Sequence, residues 1–218
     1  MKFYLLFLLS LLFSQCSNES LNDSLEAPIK KDQILFVVSN AHYYGKSEIN
    51  SANHFAVIVL AYDVLDQAGY AIDFVSPEGG AIPIGYINTS DSLIKKYLYD
   101  GAFMDLLEST KRPSGISSQD YVAAFYSGGG SAMFGVPEND EIQQIVISIY
   151  EKNQGIVSAV CHGTAGIVHL KTSDGAYLVN GKAVNGFPDL FENKDGAYYQ
   201  EFPFSIEEAI GEHGGIFN

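Results

Sequence analysis

Residues 155–166 read Gly-Ile-Val-Ser-Ala-Val-Cys-His-Gly-Thr-Ala-Gly, GIVSAVCHGTAG. The apolar run Ile156–Val160 ends abruptly at Cys161, and small residues able to begin a helix follow. An apolar strand, a sharp turn carrying a nucleophile and then a helix make a nucleophile elbow, better known with serine as G-x-S-x-G. Here the elbow reads Ala159-Val160-Cys161-His162-Gly163. Small neighbours let two backbones pass closely at a strained turn. A helix starting there would aim its N-terminal N–H groups and positive dipole end at the sulfur, favouring thiolate. From these residues alone, Cys161 is either such a nucleophile or a buried structural cysteine of an α/β core.

The flanking chain supplies the fold around the elbow. Ile34–Ser39 (ILFVVS), Ala71–Ser76 (AIDFVS) and Tyr121–Tyr126 (YVAAFY) are short continuous apolar runs, the pattern of parallel strands buried on both faces. Between the first two lie the polar loop Asn40–Ser51 and a helical repeat of Phe55, Ile58, Val59, Tyr62 and Leu65. Asn53 or Ser51 is the expected cap of that helix and Gly69 its end. Pro77-Glu78-Gly79-Gly80 reads as a turn, and Ser90–Leu107 as helix broken at Gly101. Pro137 is expected to open a helix with Ile142, Ile145, Val146, Ile149 and Tyr150 on one face. Short strands are expected at Tyr177–Val179 and Lys182–Asn185 around the turn Asn180-Gly181, and a short helix at Phe204–Glu212. Strands alternating with helices predict an α/β fold with a mostly parallel sheet covered on both faces. Ligands bind such sheets at the carboxyl ends of their strands. The Gly-rich loop Ser127–Ser131 and the elbow both fall there and can face one crevice.

Composition narrows the partners. Of 218 residues, 47% are hydrophobic and 17% charged, which suits a globular chain. Twelve basic against 26 acidic residues give a net charge of −14 and argue against nucleic acid, which needs excess Lys and Arg at phosphates. Cys16 and Cys161 are the two cysteines, with no C-x-x-C or Cys/His cluster, so a structural zinc site is not expected.

The amino terminus has an address of its own. Met1-Lys2 starts positive, and Phe3–Phe13 is apolar except for Ser10. This run is too short for a span of ~20 residues and fits a signal h-region. Cys16 follows directly, as at a bacterial lipoprotein processing site, where the cysteine carries the lipid; Gln15 departs from the small residue usual before it. The expected organisation is a leader at 1–15, Cys16 as lipid site, a polar tether over 16–32 and one domain over 33–218. Export to a bacterial cell envelope follows, with membrane contact only through the lipid anchor. An unpaired Cys161 in an oxidising compartment suits a reactive or a buried thiol rather than a disulfide.

Several separate stretches carry a family resemblance. Ser158–Gly166 (SAVCHGTAG), Ala68–Gly80 (AGYAIDFVSPEGG), Gly128–Asn139 (GGGSAMFGVPEN) and Asn180–Phe187 (NGKAVNGF) occur in order. Together they resemble the DJ-one/PfpI superfamily, and within it the branch of heat-shock-type glyoxalase III enzymes and chaperones, over about residues 33–217. The resemblance implies a flavodoxin-like three-layer sandwich with the elbow. It implies a cysteine-dependent, cofactor-free lyase turning small α-oxoaldehydes such as methylglyoxal into D-lactate, or a deglycase acting on their protein adducts. Two alternatives stay open: a holdase chaperone or redox-sensing thiol protein, and a PfpI-like peptidase or amidotransferase-type hydrolase. The resemblance assigns Cys161 as nucleophile, His162 as its neighbour and Glu192 as the acidic third member. The backbone N–H groups of His162 and of Gly129 or Gly130 would form the oxyanion site. The partner is a small aldehyde, and a homodimer would be usual for the superfamily.

The chain departs from the branch at several points. Val57 stands where the branch usually has a proton-sharing glutamate on the first helix. Leu60 and Gly130 replace histidines, and Gly135 replaces an aspartate. Glu48, His42 and His54 are candidates to substitute. The family also usually continues past the position of Asn218 through another strand and helix, leaving an expected bare sheet edge here.

Overall fold

The computed structural model describes residues 32–218; the leader, Cys16 and nearly all of the tether lie outside them. At the centre are four parallel strands: β1 (Gln33–Val37), β3 (Ala71–Val75), β5 (Tyr121–Tyr126) and β6 (Ile156–Ala159), in the order β3-β1-β5-β6. Alternation along each strand sends side chains to two different layers. Ile34, Phe36, Val38, Phe74 and Phe125 pack on one face against Phe55, Ile58 and Val59 of helix α1 (Phe55–Gln67). Helices α2 (Ser92–Leu98) and α3 (Gly101–Glu108) add Tyr97 and Phe103 to this layer. Phe36 faces Phe74 and Phe125 across the register, with ring centroids 5.2 and 4.7 Å away. Leu35, Val37, Val75, Ala124 and Tyr126 pack on the other face against Ile142, Val146 and Ile149 of α4 (Asp140–Lys152). The chain therefore forms the expected flavodoxin-like three-layer α/β sandwich.

Local chemistry sets the element ends. The Asn139 side chain accepts from the Ile142 N–H at 2.9 Å, and Asp140, Glu141 and Lys152 complement the helix dipole. Helix α4 thus starts at Asp140 rather than at Pro137. The Asp100 carboxylate caps α3 at Phe103, so the break in the 90–107 segment falls at Tyr99-Asp100, and Gly101 is already helical. Gly69 does close α1, at φ 93°, but neither Asn53 nor Ser51 caps its start; His54 holds that position without a side-chain bond.

Asn53 is used elsewhere. It begins β2 (Asn53–His54), which pairs in parallel with β4 (Ile84–Gly85) outside the main sheet. Around 180 the expected pair of strands about one turn is not formed. Tyr177 makes an isolated bridge to Lys171, and β7 (Ala183–Val184) pairs in parallel with β8 (Ile216–Phe217) beyond α6 (Ile206–Glu212). Asn180-Gly181 turns the chain toward Gly214, whose carbonyl accepts from the Gly181 N–H at 2.8 Å.

Candidate active site

Cys161 sits where β6 ends, at φ 57°, a left-handed conformation that costs a residue with a side chain about 1–3 kcal/mol. The turn is held by packing to backbone contact. A Cβ placed on Gly128 would lie 2.8 Å from the Cys161 Cβ and from the Val160 carbonyl oxygen. Gly129, at φ 109°, passes so close to Ala52 and His54 that no side chain fits. After the elbow come a 3-10 turn, Cys161–Thr164, and the single α turn α5 (Ala165–Val168). That is too short for the strong dipole expected from the sequence. The sulfur depends instead on individual donors.

Those donors are specific. Cys161 Sγ lies 3.4 Å from His162 Nδ1, and His162 Nε2 lies 2.7 Å from Glu192 Oε1. Burial alone would push the thiol up. The hydrogen bond and charge of His162, with the backbone N–H groups of His162 and Gly129, outweigh burial and hold it below its ordinary value. Burial likewise opposes charge on His162, but Cys161 and then Glu192 raise it. The pair therefore leans toward thiolate and imidazolium. Glu192 is itself shielded, its side chain 6% exposed, and its second oxygen accepts from the Tyr198 hydroxyl at 3.3 Å. Phe187 stacks on the His162 ring at 4.5 Å and Phe202 meets it edge-on at 5.4 Å. These rings fix the imidazole plane along the line from sulfur to carboxylate.

The three residues open into a cavity of about 480 Å³, completed by Tyr44, His54, Tyr86, Gly129 and Gly130 with the aromatic rings just named. The structure thus brings together Cys161, His162, Glu192, Gly129 and Gly130. Of the two glycines, Gly129 has the backbone N–H that helps lower the thiol, whereas Gly130 is packed against the Tyr44 ring. Val57 packs into the core instead, Leu60 is exposed, and Gly135 lies beside Pro77. His42 and Glu48 are exposed; of the three candidate substitutes, His54 alone lines the cavity. Tyr44, Tyr86, Tyr198, Phe187 and Phe202 were not singled out as site residues in the sequence. Tyr44 stood in the polar loop Asn40–Ser51, but nothing local aims the others at Cys161. Among the described residues no three His, Cys, Asp or Glu side chains converge as a metal set.

No protein-family model matches the chain. Individual relatives do. It is 29% identical over 164 residues to the probable glutathione-independent glyoxalase SNO4 of Saccharomyces cerevisiae, covering 70% of this chain and 68% of that one. It is 28% identical over 203 residues to the glutathione-independent glyoxalase hsp3102 of Schizosaccharomyces pombe, covering 87% and 84%. In sequence the chain is similar to these glutathione-independent glyoxalases. Among solved structures, the 24 kDa rapid encystment protein of Francisella tularensis superposes with a TM-score of 0.79 at 27% identity, covering 86% of this chain and 83% of that one. Glyoxalase III of Candida albicans superposes at 0.72 and 24% identity, over 86% and 82%, and shares the fold. The chain has its own Cys-His-Glu line at the strand ends where an α/β sheet places its ligands.

Proposed function

We propose that the chain is a glutathione-independent glyoxalase that converts small α-oxoaldehydes such as methylglyoxal into 2-hydroxy acids, with Cys161 as nucleophile. The observation that carries this reading is the continuous line from Cys161 Sγ through His162 to Glu192 at the floor of an aromatic cavity. A thiolate there can add to an aldehyde carbon. The N–H groups of His162 and Gly129, with Gly130 alongside, are the donors available to the oxyanion that forms. His162, held protonated between sulfur and carboxylate, can return a proton to that oxygen. The substrate and product differ only by internal redox and one water, so the chemistry requires no cofactor. The relatives named as glutathione-independent glyoxalases support the same reading.

The test is lactate formation from methylglyoxal without glutathione by the full chain. Turnover should fall by at least about 10³-fold in Cys161→Ser. Turnover that survives this substitution rejects the mechanism.

We further infer an envelope location, with residues 1–15 as leader, Cys16 as lipid site and 33–218 as the catalytic domain. The apolar run Phe3–Phe13 followed by Cys16 supports this. The reading also allows a homodimer, and the membrane enters it only through the lipid.

A further inference from the structure

The cavity at Cys161 is larger than a methyl-bearing aldehyde requires, and the surplus is aromatic. Cavities of about 300–1,000 Å³ ordinarily enclose most of a drug-sized ligand, and this one holds about 480 Å³. Tyr44, Tyr86, Phe187, Tyr198 and Phe202 line it, and neither Lys nor Arg does. A phosphate or carboxylate on a substrate would find no free cation, because His162 is already held between Cys161 and Glu192. The tyrosine hydroxyls are engaged as well. Those of Tyr44 and Tyr86 are 3.2 Å apart, and that of Tyr198 donates to Glu192. A polyhydroxylated, sugar-like substrate would therefore meet few open partners.

The rings form a connected belt. Phe202 meets His162 edge-on, and its centroid lies 5.8 Å from that of Tyr198 and 5.9 Å from that of Tyr44. Tyr44 is 5.4 Å from Tyr198 and reaches Tyr86 through the paired hydroxyls. Tyr86 then stacks on His54 at 4.7 Å and 5°. Any side chain at Gly130 would collide with the Tyr44 ring, so that glycine makes the room the ring occupies. His54 Nδ1 is closed to solvent and burial disfavours charge on the ring, so His54 serves the belt as a neutral stacking surface. Tyr86 is the exceptional member. It is 53% exposed and adopts φ 58°, where a residue with a side chain is strained. Neither burial nor backbone geometry favours tyrosine there; what the position gains is a flat ring fixed on the open side of the cavity.

We propose that this belt binds an aryl group, so that the site takes α-oxoaldehydes bearing an aromatic ring in preference to methylglyoxal, with Tyr86 setting the preference. This rests on the glyoxalase reading above. With its aldehyde carbon at Cys161 Sγ, a phenyl-bearing substrate places its ring against the belt. Offset or edge-on contact with the tyrosine and phenylalanine rings then adds to the burial of apolar surface. A methyl group in the same position leaves most of that wall against water. The belt rings are already packed on one another, so little side-chain freedom is lost when the substrate arrives.

The experiment measures kcat/KM of the full chain for phenylglyoxal and for methylglyoxal, and repeats both with Tyr86→Ala and Tyr86→Phe. The parent should favour phenylglyoxal by at least about tenfold. That ratio should fall by about tenfold in Tyr86→Ala, with the loss in KM for phenylglyoxal, and should stay within about threefold of the parent in Tyr86→Phe, which keeps the ring. A second measurement needs no turnover. Acetophenone, an aryl ketone without the aldehyde, should slow Cys161 alkylation by iodoacetamide at a concentration at least about tenfold below that at which acetone does, and Tyr86→Ala should narrow the gap. A parent ratio that does not favour phenylglyoxal, a ratio unmoved in Tyr86→Ala, or acetophenone protecting no better than acetone overturns the aryl preference. If neither aldehyde is turned over, the glyoxalase reading falls, and protection by acetophenone alone decides whether the belt binds an aryl group.

Discussion

The charge of Glu192 reaches Cys161 through one imidazole, so its removal should be felt at the sulfur. In Glu192→Gln, His162 loses the carboxylate that helps hold its proton, and the thiolate loses part of its cationic partner. The reactive form is the thiolate, present above the thiol pKa and lost as pH falls through it. The parent midpoint lies below that of an ordinary cysteine. The variant midpoint should move up by about one pH unit, the low end of the range for loss of a close opposite charge. The pH dependence of Cys161 alkylation measures this directly; an unmoved midpoint would show that Glu192 orients the ring without influencing the thiol. Tyr198 should matter less, because it touches only the carboxylate oxygen turned away from His162.

At the level of elements, the site depends on a two-residue strand. Asn53 is fully buried and ties three segments together. Its Oδ1 accepts from the Ser39 N–H at 3.0 Å, and its Nδ2 donates to the carbonyls of Ser39 and Pro83 at 2.8 and 2.9 Å. Asn53→Ala would strand these backbone groups without water and should cost about 2–4 kcal/mol, read as a lower urea midpoint at unchanged slope. A loss under about 0.5 kcal/mol would mean that β2 is held by its ladder alone. The same strand explains what was readable in advance. ILFVVS, AIDFVS and YVAAFY announced the sheet because burial on both faces leaves a run of apolar residues. A two-residue strand has no periodicity to detect, so β2, β4 and the β7–β8 pairing were not readable. Glu192 was found through a motif, whereas no signal told His54 from His42. What separates them is the pairing of His54 with Gly85, a tertiary fact.

For the whole molecule, charge and edge act against each other. Strand β6 ends the sheet order among the described residues, with Ile156 68% and Val160 43% exposed. A groove of about 570 Å³ lined by Val157, Leu178 and Val184 runs beside it and does not include Cys161. An open edge invites another copy, while a net charge of −14 keeps copies apart. Screening should release that repulsion, since the Debye length falls from about 10 Å at 0.1 M to about 3 Å at 1 M salt. The weight-average mass in sedimentation should therefore rise across this range, and Ile156→Lys should suppress the rise. A mass independent of salt would mean that the edge does not mediate association.

The left-handed backbone at Cys161 has a consequence for how the residue persists. Glycine takes φ 57° without strain, and the close approach of Gly128 would shape the turn either way. The elbow is thus a point of local frustration that the surrounding fold overrules. Replacing Cys161 by glycine relieves the strain and abolishes the thiol in one step. Folding alone gives no reason for a cysteine to stand there, and what holds it in place is chemistry at sulfur.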